Sequence, residues 1–351
     1  PEFFKKVFCI NSNEYDWYPK STMNYTMLSQ VPVYTRTPGV TPTVTPTTSA
    51  TPAAGPLSAM LASGNPAAVT VTTNAQGIEV MRVTFSGTGT VNSLTFKRGG
   101  AGDTADYDNL YIYDGATRLT SGKSLSSSTG TITFVGLSSA VDGTKDLSLV
   151  ADLSATAGNV NNFSLNEVGA TGTVNGLPLV STNMTISGAT SGGVTITKVG
   201  SIGNPNVGQK GAQISEFKMA ANTEGASIKR VTLIQGGTVK SSDIKNVKLT
   251  QDTNSWTGTV TTDGHLVFDM GTGFFIAKGG SKVFQVWGDV GGKATETIKL
   301  YFEEVVDVLA VGDQYGYAMD ITVTALDAAS EAHAITLQGG TLTLTFNGPN
   351  A

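Results

Sequence analysis

Downstream of residue 57 the chain is a succession of short runs in which apolar and polar side chains alternate, each closed by Gly, Asn, Asp or Ser. Examples are 80–85, 94–97, 110–113, 131–135 and 147–151. A period of two sends alternate side chains to opposite faces, so each run predicts a strand with one buried face. Many such strands separated by turn residues predict an all-β protein of sandwich type. No stretch longer than about ten residues carries the helical period.

The runs occur twice. Val91-Asn92-Ser93-Leu94-Thr95-Phe96 matches Ile228-Lys229-Arg230-Val231-Thr232-Leu233, and Asp106, Asn109, Leu110 and Ile112 then match Asp243, Asn246, Val247 and Leu249. Ile132-Thr133-Phe134 matches Leu266-Val267-Phe268, and the segment from Lys145 to Asp152 matches that from Lys282 to Asp289. The order and near-constant spacing of these matches predict two tandem immunoglobulin-like sandwiches, at 57–188 and 189–338. Leu94 and Val231, Ile112 and Leu249, and Phe134 and Phe268 are then expected at equivalent core positions.

Gly193-Val194-Thr195-Ile196-Thr197 opens the second copy, and Gly340 to Phe346 repeats its pattern. Residues 339–351 therefore read as a strand whose apolar face, Leu342, Leu344 and Phe346, needs a cover. It is a donor strand for a neighbouring subunit, the first strand of a third module, or a strand folded back on the second module.

Nine of the 12 prolines lie within the first 66 residues, and 37–56 alternates Thr with Pro and carries no charge. That segment reads as an extended linker, with Thr41, Thr43, Thr45, Thr47 and Thr48 as candidate O-glycosylation sites on an accessible chain. Residues 1–36 hold eight aromatic side chains, among them Phe3, Phe4, Phe8 and Trp17, too many for a free tail. This segment docks on its own body or on another subunit, or ends a domain that lies upstream. Position 1 is Pro rather than Met, which reads as a processed, tagged or truncated end.

Composition narrows the chemistry. With 22 basic and 27 acidic side chains the net charge is −5, and no basic stripe is present to bind nucleic acid. One Cys, Cys9, excludes an internal disulfide and a cysteine zinc site, and two His leave little for a histidine metal centre. No apolar run approaches the ~18 residues of a spanning helix.

The stretch from Gly102 to Gly115, G-D-T-A-D-Y-D-N-L-Y-I-Y-D-G, followed by Val150-Ala151-Asp152-Leu153, resembles a tandem module of large secreted surface proteins of uncharacterised, candidate-phyla-type bacteria. The resemblance covers both copies and the linker but not 1–36, and the second copy departs from it with Gln251-Asp252 in place of Tyr113-Asp114. It implies an envelope, surface-layer or fibre component and brings no catalytic residues.

Within that stretch Asp103, Asp106, Asp108 and Asn109 are spaced either for a Ca²⁺ ion or for plain turn chemistry. Lys245 replaces Asp108 in the second copy, so the copies share a turn pair rather than a ligand set. Glu303, Glu304 and Asp307 imitate a glycosidase pair on or beside a strand without other marks of a sugar cleft. His265 and His333 read as surface or strand residues. Trp256, Trp287, Tyr107, Tyr111 and Tyr113 form a sugar-stacking platform if they share an exposed face, and core or subunit contact otherwise.

The reading is an extracellular, non-enzymatic structural protein that self-assembles with identical subunits into a cell-surface filament or layer. The rival is a monomeric adhesin or carbohydrate-binding module with a surface glycan as partner.

Overall fold

A computed structural model describes residues 55–327 and 332–340. The aromatic segment 1–36, nearly all of the linker, its candidate threonines, and Leu342, Leu344 and Phe346 lie outside the described residues. Among the described residues the regular elements are strands and three short 3₁₀ turns, joined by loops.

Two long strands, Ile78–Gly99 and Thr131–Leu153, pair antiparallel along their whole lengths, from Ile78 opposite Ala151 to Lys97 opposite Thr131. Tyr107–Asp114 adds to one end of this ribbon and Val160–Ala170 to the other. Yet the rings of Tyr107 and Phe163 meet edge to face at 5.1 Å. Strands from opposite ends of one ribbon touch only if the ribbon folds over, so one continuous ladder makes both layers of a sandwich. The bend falls where Gly87 lies directly opposite Gly143, both in the left-handed region, at φ 121° and 84°. A side chain is disfavoured there, and at Gly87 a Cβ would also come within 2.8 Å of the Pro56 carbonyl oxygen.

The second copy breaks where the first bends. Ala212–Asn222 and Ala226–Gln235 replace one long strand, and His265–Ile276 and Ser281–Val290 replace the other. The result is two separate sheets. One runs Asn254–Thr257, Ile244–Gln251, Ser281–Val290, Ala212–Asn222, Gly193–Lys198, Asp320–Thr324. The other runs Thr259–Val260, His265–Ile276, Ala226–Gln235, Thr297–Tyr301, Ala334–Thr336, with Val308–Gly312 also pairing Ala226–Gln235. Phe274 of the second sheet packs edge to face on Trp256 and Phe284 of the first, at 5.8 and 5.5 Å.

The predicted equivalences hold. Leu94 lies opposite Phe134 and Val231 opposite Phe268, while Ile112 faces Leu149 and Leu249 faces Val286. All six predicted residues are buried. The polar matches have a physical role too. Asp152 accepts the Gly77 N–H at 2.7 Å and Asp289 accepts the Gly211 N–H at 2.8 Å, so each copy ties the loop before its first long strand to a carboxylate. Lys145 pairs with Asp114, and Lys282 with Asp252 at 3.8 Å.

If the bend is set by the glycine pair, Gly143→Ala, which meets open space, should cost about 1 kcal/mol from backbone strain alone. Gly87→Ala should cost more because it also crowds a backbone oxygen. Urea unfolding of the two variants, read against the native chain, orders them.

Candidate functional site

The candidate site is the junction at which the two sandwiches meet. In the first, Tyr107–Asp114 alternates Leu110 and Ile112 into its own core with Tyr111 and Tyr113 on the opposite face. Buried side chains on an outer face need a cover, and Val306 supplies it: Tyr111, Tyr113, Val150 and Val306 form a small apolar cluster separate from either core. Val306 sits in the 3₁₀ turn Val305–Asp307, whose capping box joins Glu304 and Asp307.

This turn is an insertion. In the first copy three residues, 165–167, separate Ser164 opposite Lys97 from Val168 opposite Leu94. In the second copy six, 302–307, separate Tyr301 opposite Ile234 from Val308 opposite Val231. The extra length forms a plug, Glu303 to Asp307, that reaches the first sandwich.

Arg118 receives the plug. Its Nε donates to Asp307 Oδ1 at 2.9 Å, its terminal nitrogens donate to Glu303 Oε2 at 2.6 Å and to the Thr120 carbonyl at 3.0 Å, and the Arg118 and Asp307 side chains are only 2% and 1% exposed. Burial by itself would lower the guanidinium pKa, but Asp307 and the bond to Glu303 outweigh it and the net direction is upward. Asp307 also accepts the N–H groups of Glu303 and Glu304, which holds its carboxylate in place.

His265 Nε2 lies 3.4 Å from an Arg118 nitrogen. Since an arginine N–H can only donate, Nε2 accepts, and the Nδ1 proton goes to Asp263 Oδ2 at 3.0 Å. Arg230 stacks its guanidinium 4.3 Å from the Tyr113 ring and donates to the Val306 carbonyl at 3.2 Å. Two side-chain amides complete the seam. Gln76 bonds Asp320 Oδ1 and the Ile321 N–H, both at 2.9 Å, and Asn74 Oδ1 accepts the Ser191 N–H at 2.9 Å.

Asp152 lies beside the plug and accepts from Tyr111 Oη at 2.8 Å as well as from Gly77. Burial pushes its pKa up to about 6, with nearby Glu304 adding to the rise, although both hydrogen bonds oppose it.

The other predicted residues fall as follows. Asp103 and Asp106 meet in the 3₁₀ turn Thr104–Asp106, as a capping box. Asp106 is buried and accepts from the Asp103 and Thr156 N–H groups and from the amide nitrogens of Asn159 and Asn161. Burial alone would raise its pKa, but these bonds carry it below the ordinary carboxylate value. Its lone pairs face N–H donors. Asp108 is exposed and Asn109 lies opposite Asp152. Among the described residues no group of three His, Cys, Asp or Glu is placed to hold a metal ion.

The structure decides three readings that the sequence left open. The tyrosines share no exposed face with the tryptophans: Tyr107 packs in the first core, Tyr111 and Tyr113 are sealed in the junction, and Trp256 packs against the second core. His265 is a strand residue, but a buried one, because it backs Arg118. Glu303, Glu304 and Asp307 bind and cap rather than face each other across a cleft. No local sequence pattern marks Arg118. Its signal is comparative: Tyr111, Tyr113, Arg118 and Val150 stand where the second copy has Lys248, Thr250, Ser255 and Trp287, and strand register thus corrects the expected match of Tyr113 with Gln251 by one residue, to Thr250.

No family model and no curated protein matches the chain. Among solved structures it is similar to the seventh type I cohesin of ScaB from Pseudobacteroides cellulosolvens, at 13% identity over 45% of this chain and 98% of that one, TM-score 0.26. It is also similar to CBD12 from CALX1.2, at 12% identity over 81% and 100%, TM-score 0.22. A third is the C-terminal domain of the Streptococcus pyogenes antigen I/II-family protein AspA, at 10% identity over 80% and 98%, TM-score 0.18. Scores this low leave the fold to be argued from strand pairing. No described helix is long and apolar enough to cross a membrane.

Arg118→Met should destabilise the described unit by about 3–5 kcal/mol in denaturant unfolding, since it strands a buried carboxylate. Adding Asp307→Asn, which keeps an oxygen to cap the plug, should recover part of that loss.

Asp152 predicts a pH effect of defined sign. Its folded pKa lies above its unfolded value of 3.8, so the unfolded chain releases the proton first, and stability falls as pH rises from about 4 to about 6. Asp152→Asn can accept from Gly77 and donate to Tyr111, so it should gain on the order of 2 kcal/mol over the native chain at pH 8 and little at pH 4. Melting curves of the pair at the two pH values test this.

Proposed function

We propose that this chain is an extracellular structural protein, a subunit of a cell-surface filament or layer, built of two immunoglobulin-like modules. The observation that supports the reading is the junction. Nearly every buried charged group there is spent on holding one strand-built module against the next, and buried ion pairs serve specificity of arrangement better than raw stability. Fixed orientation is what a load-bearing or lattice-forming subunit requires. The resemblance of 102–115 to modules of secreted surface proteins points the same way, as does the Thr/Pro linker, whose extended, hydroxyl-rich chain suits O-glycosylation at Thr41 to Thr48.

Subunits would join head to tail through the strand pattern of 340–346, donated to a sheet edge of the next copy. Removing residues 339–351 should then leave both sandwiches folded and abolish polymers under the electron microscope. Polymers formed equally well by the shortened chain would remove strand donation, and a full chain that stays monomeric at high concentration would remove self-assembly altogether. The second reading, a glycan-binding surface module, is favoured by one feature of the second sandwich, the surroundings of Trp287.

A further inference from the structure

Trp287 occupies the position in the second copy that Val150 holds in the first: Lys248 lies opposite Trp287 as Tyr111 lies opposite Val150. In the first copy this outer face is apolar and covered by the plug. In the second no described element covers it as the plug covers the first, and its chemistry is inverted. Tyr111, Tyr113 and Arg118 give way to Lys248, Thr250 and Ser255, while the small aliphatic residue becomes an indole.

The indole lies down rather than standing up. Its Nε1 donates to Thr250 Oγ1 at 3.0 Å, and Thr250 sits two positions along the neighbouring strand from the residue opposite Trp287. A threonine oxygen is one bond beyond Cβ, close to the sheet, so an indole N–H that reaches it holds the edge of the ring down against the neighbouring strand while the residue stays partly exposed. Polar groups surround it. Gln213 lies opposite Trp287 on the far side, and in the next row Gln285 donates from its amide to Glu216 Oε1 at 2.9 Å, beside Thr250. Trp287 is half-buried, and Val283 is the exposed large apolar residue on the same strand.

The nature of the cover follows from this mixture. A protein surface docking here would desolvate Lys248, Gln213, Gln285 and Glu216 for the sake of one ring, whereas the first copy shows the apolar face that a module of this kind uses. A pyranose ring has the complementary pattern, a small C–H face ringed by hydroxyls. It stacks on an indole while the surrounding amide, carboxylate, hydroxyl and ammonium groups bond its rim. We infer that the outer face around Trp287 is a binding platform for the pyranose units of a polysaccharide. The site is complete within one chain and does not depend on self-assembly.

The test uses the full chain at a concentration where it is monomeric, with cellohexaose and chitohexaose as soluble probes and cellulose, chitin and peptidoglycan as insoluble ones. Titration should change tryptophan fluorescence, and at least one insoluble polysaccharide should retain the protein. Trp287→Ala should weaken binding at least tenfold. Thr250→Val, which releases the indole without touching the ring, should weaken it several-fold with the melting temperature held, and this separates binding from folding. Failure to bind every probe, or binding unchanged in both variants, would overturn the proposal. So would a Trp287→Ala variant that keeps glycan binding but loses self-association, which would assign the face to a second copy.

Discussion

The arrangement of this molecule depends on one buried guanidinium. Arg118 is almost wholly removed from water, and a charge in that position is tolerated only if its donors are nearly all met by fixed acceptors. The acceptors come mainly from the other sandwich, 189 residues away for Asp307. The ion pair therefore cannot form until both modules have folded and met, and any misdocked arrangement strands a charge on each side. That makes the contact selective. The Tyr111, Tyr113, Val150 and Val306 cluster adds apolar area, but apolar area alone would tolerate sliding, and the fork of Arg118 on Asp307 does not.

The plug illustrates how a duplicated fold acquires an interface without disturbing its cores. Three additional residues interrupt a strand at a place where the first copy already carries a bulge, so the ladder on either side keeps its register. The inserted turn then satisfies itself: Asp307 caps Glu303 and Glu304 before it bonds anything across the junction. Preorganisation of this kind lowers the entropy lost on docking.

Much of the fold was legible in the chain, because period-two alternation survives in nearly every strand and the duplication tests each assignment twice. Leu94 and Val231 are buried for the same reason, and the matched Asp152 and Asp289 secure the same loop. Other features were hidden. Gly87 and Gly143 are visible as residues, yet their meaning arises only from facing one another at the place where the first copy bends. The junction was hidden more deeply. Alternation placed Tyr111 and Tyr113 on a common face and so signalled an unmet need for cover, but nothing local names Arg118 or connects it to the acidic residues near 305. Those acidic residues imitate a catalytic pair without the other marks of a sugar cleft, because two carboxylates close in sequence carry the same signature whether they cap a turn or cleave a bond. Burial and partners decide between these, and neither is written in composition.

The comparison between copies also gives the chain a direction. The first sandwich has the receptive face, with Tyr111, Tyr113 and Arg118, and lacks the plug. The second has the plug, and its equivalent face is polar around Trp287. Donor and acceptor surfaces thus lie on different modules, and the plug is already occupied within the chain. The junction cannot repeat itself from one copy to the next. Any contact beyond this pair of modules must use other surfaces: a sheet edge, where backbone groups provide the affinity, or the Trp287 face, where a flat ring among polar groups favours a ligand different in kind from another module. A duplication that kept both faces alike could repeat this junction on the second module; divergence of one face means that the plug-and-arginine contact is not repeated there and leaves that surface free to recognise something else.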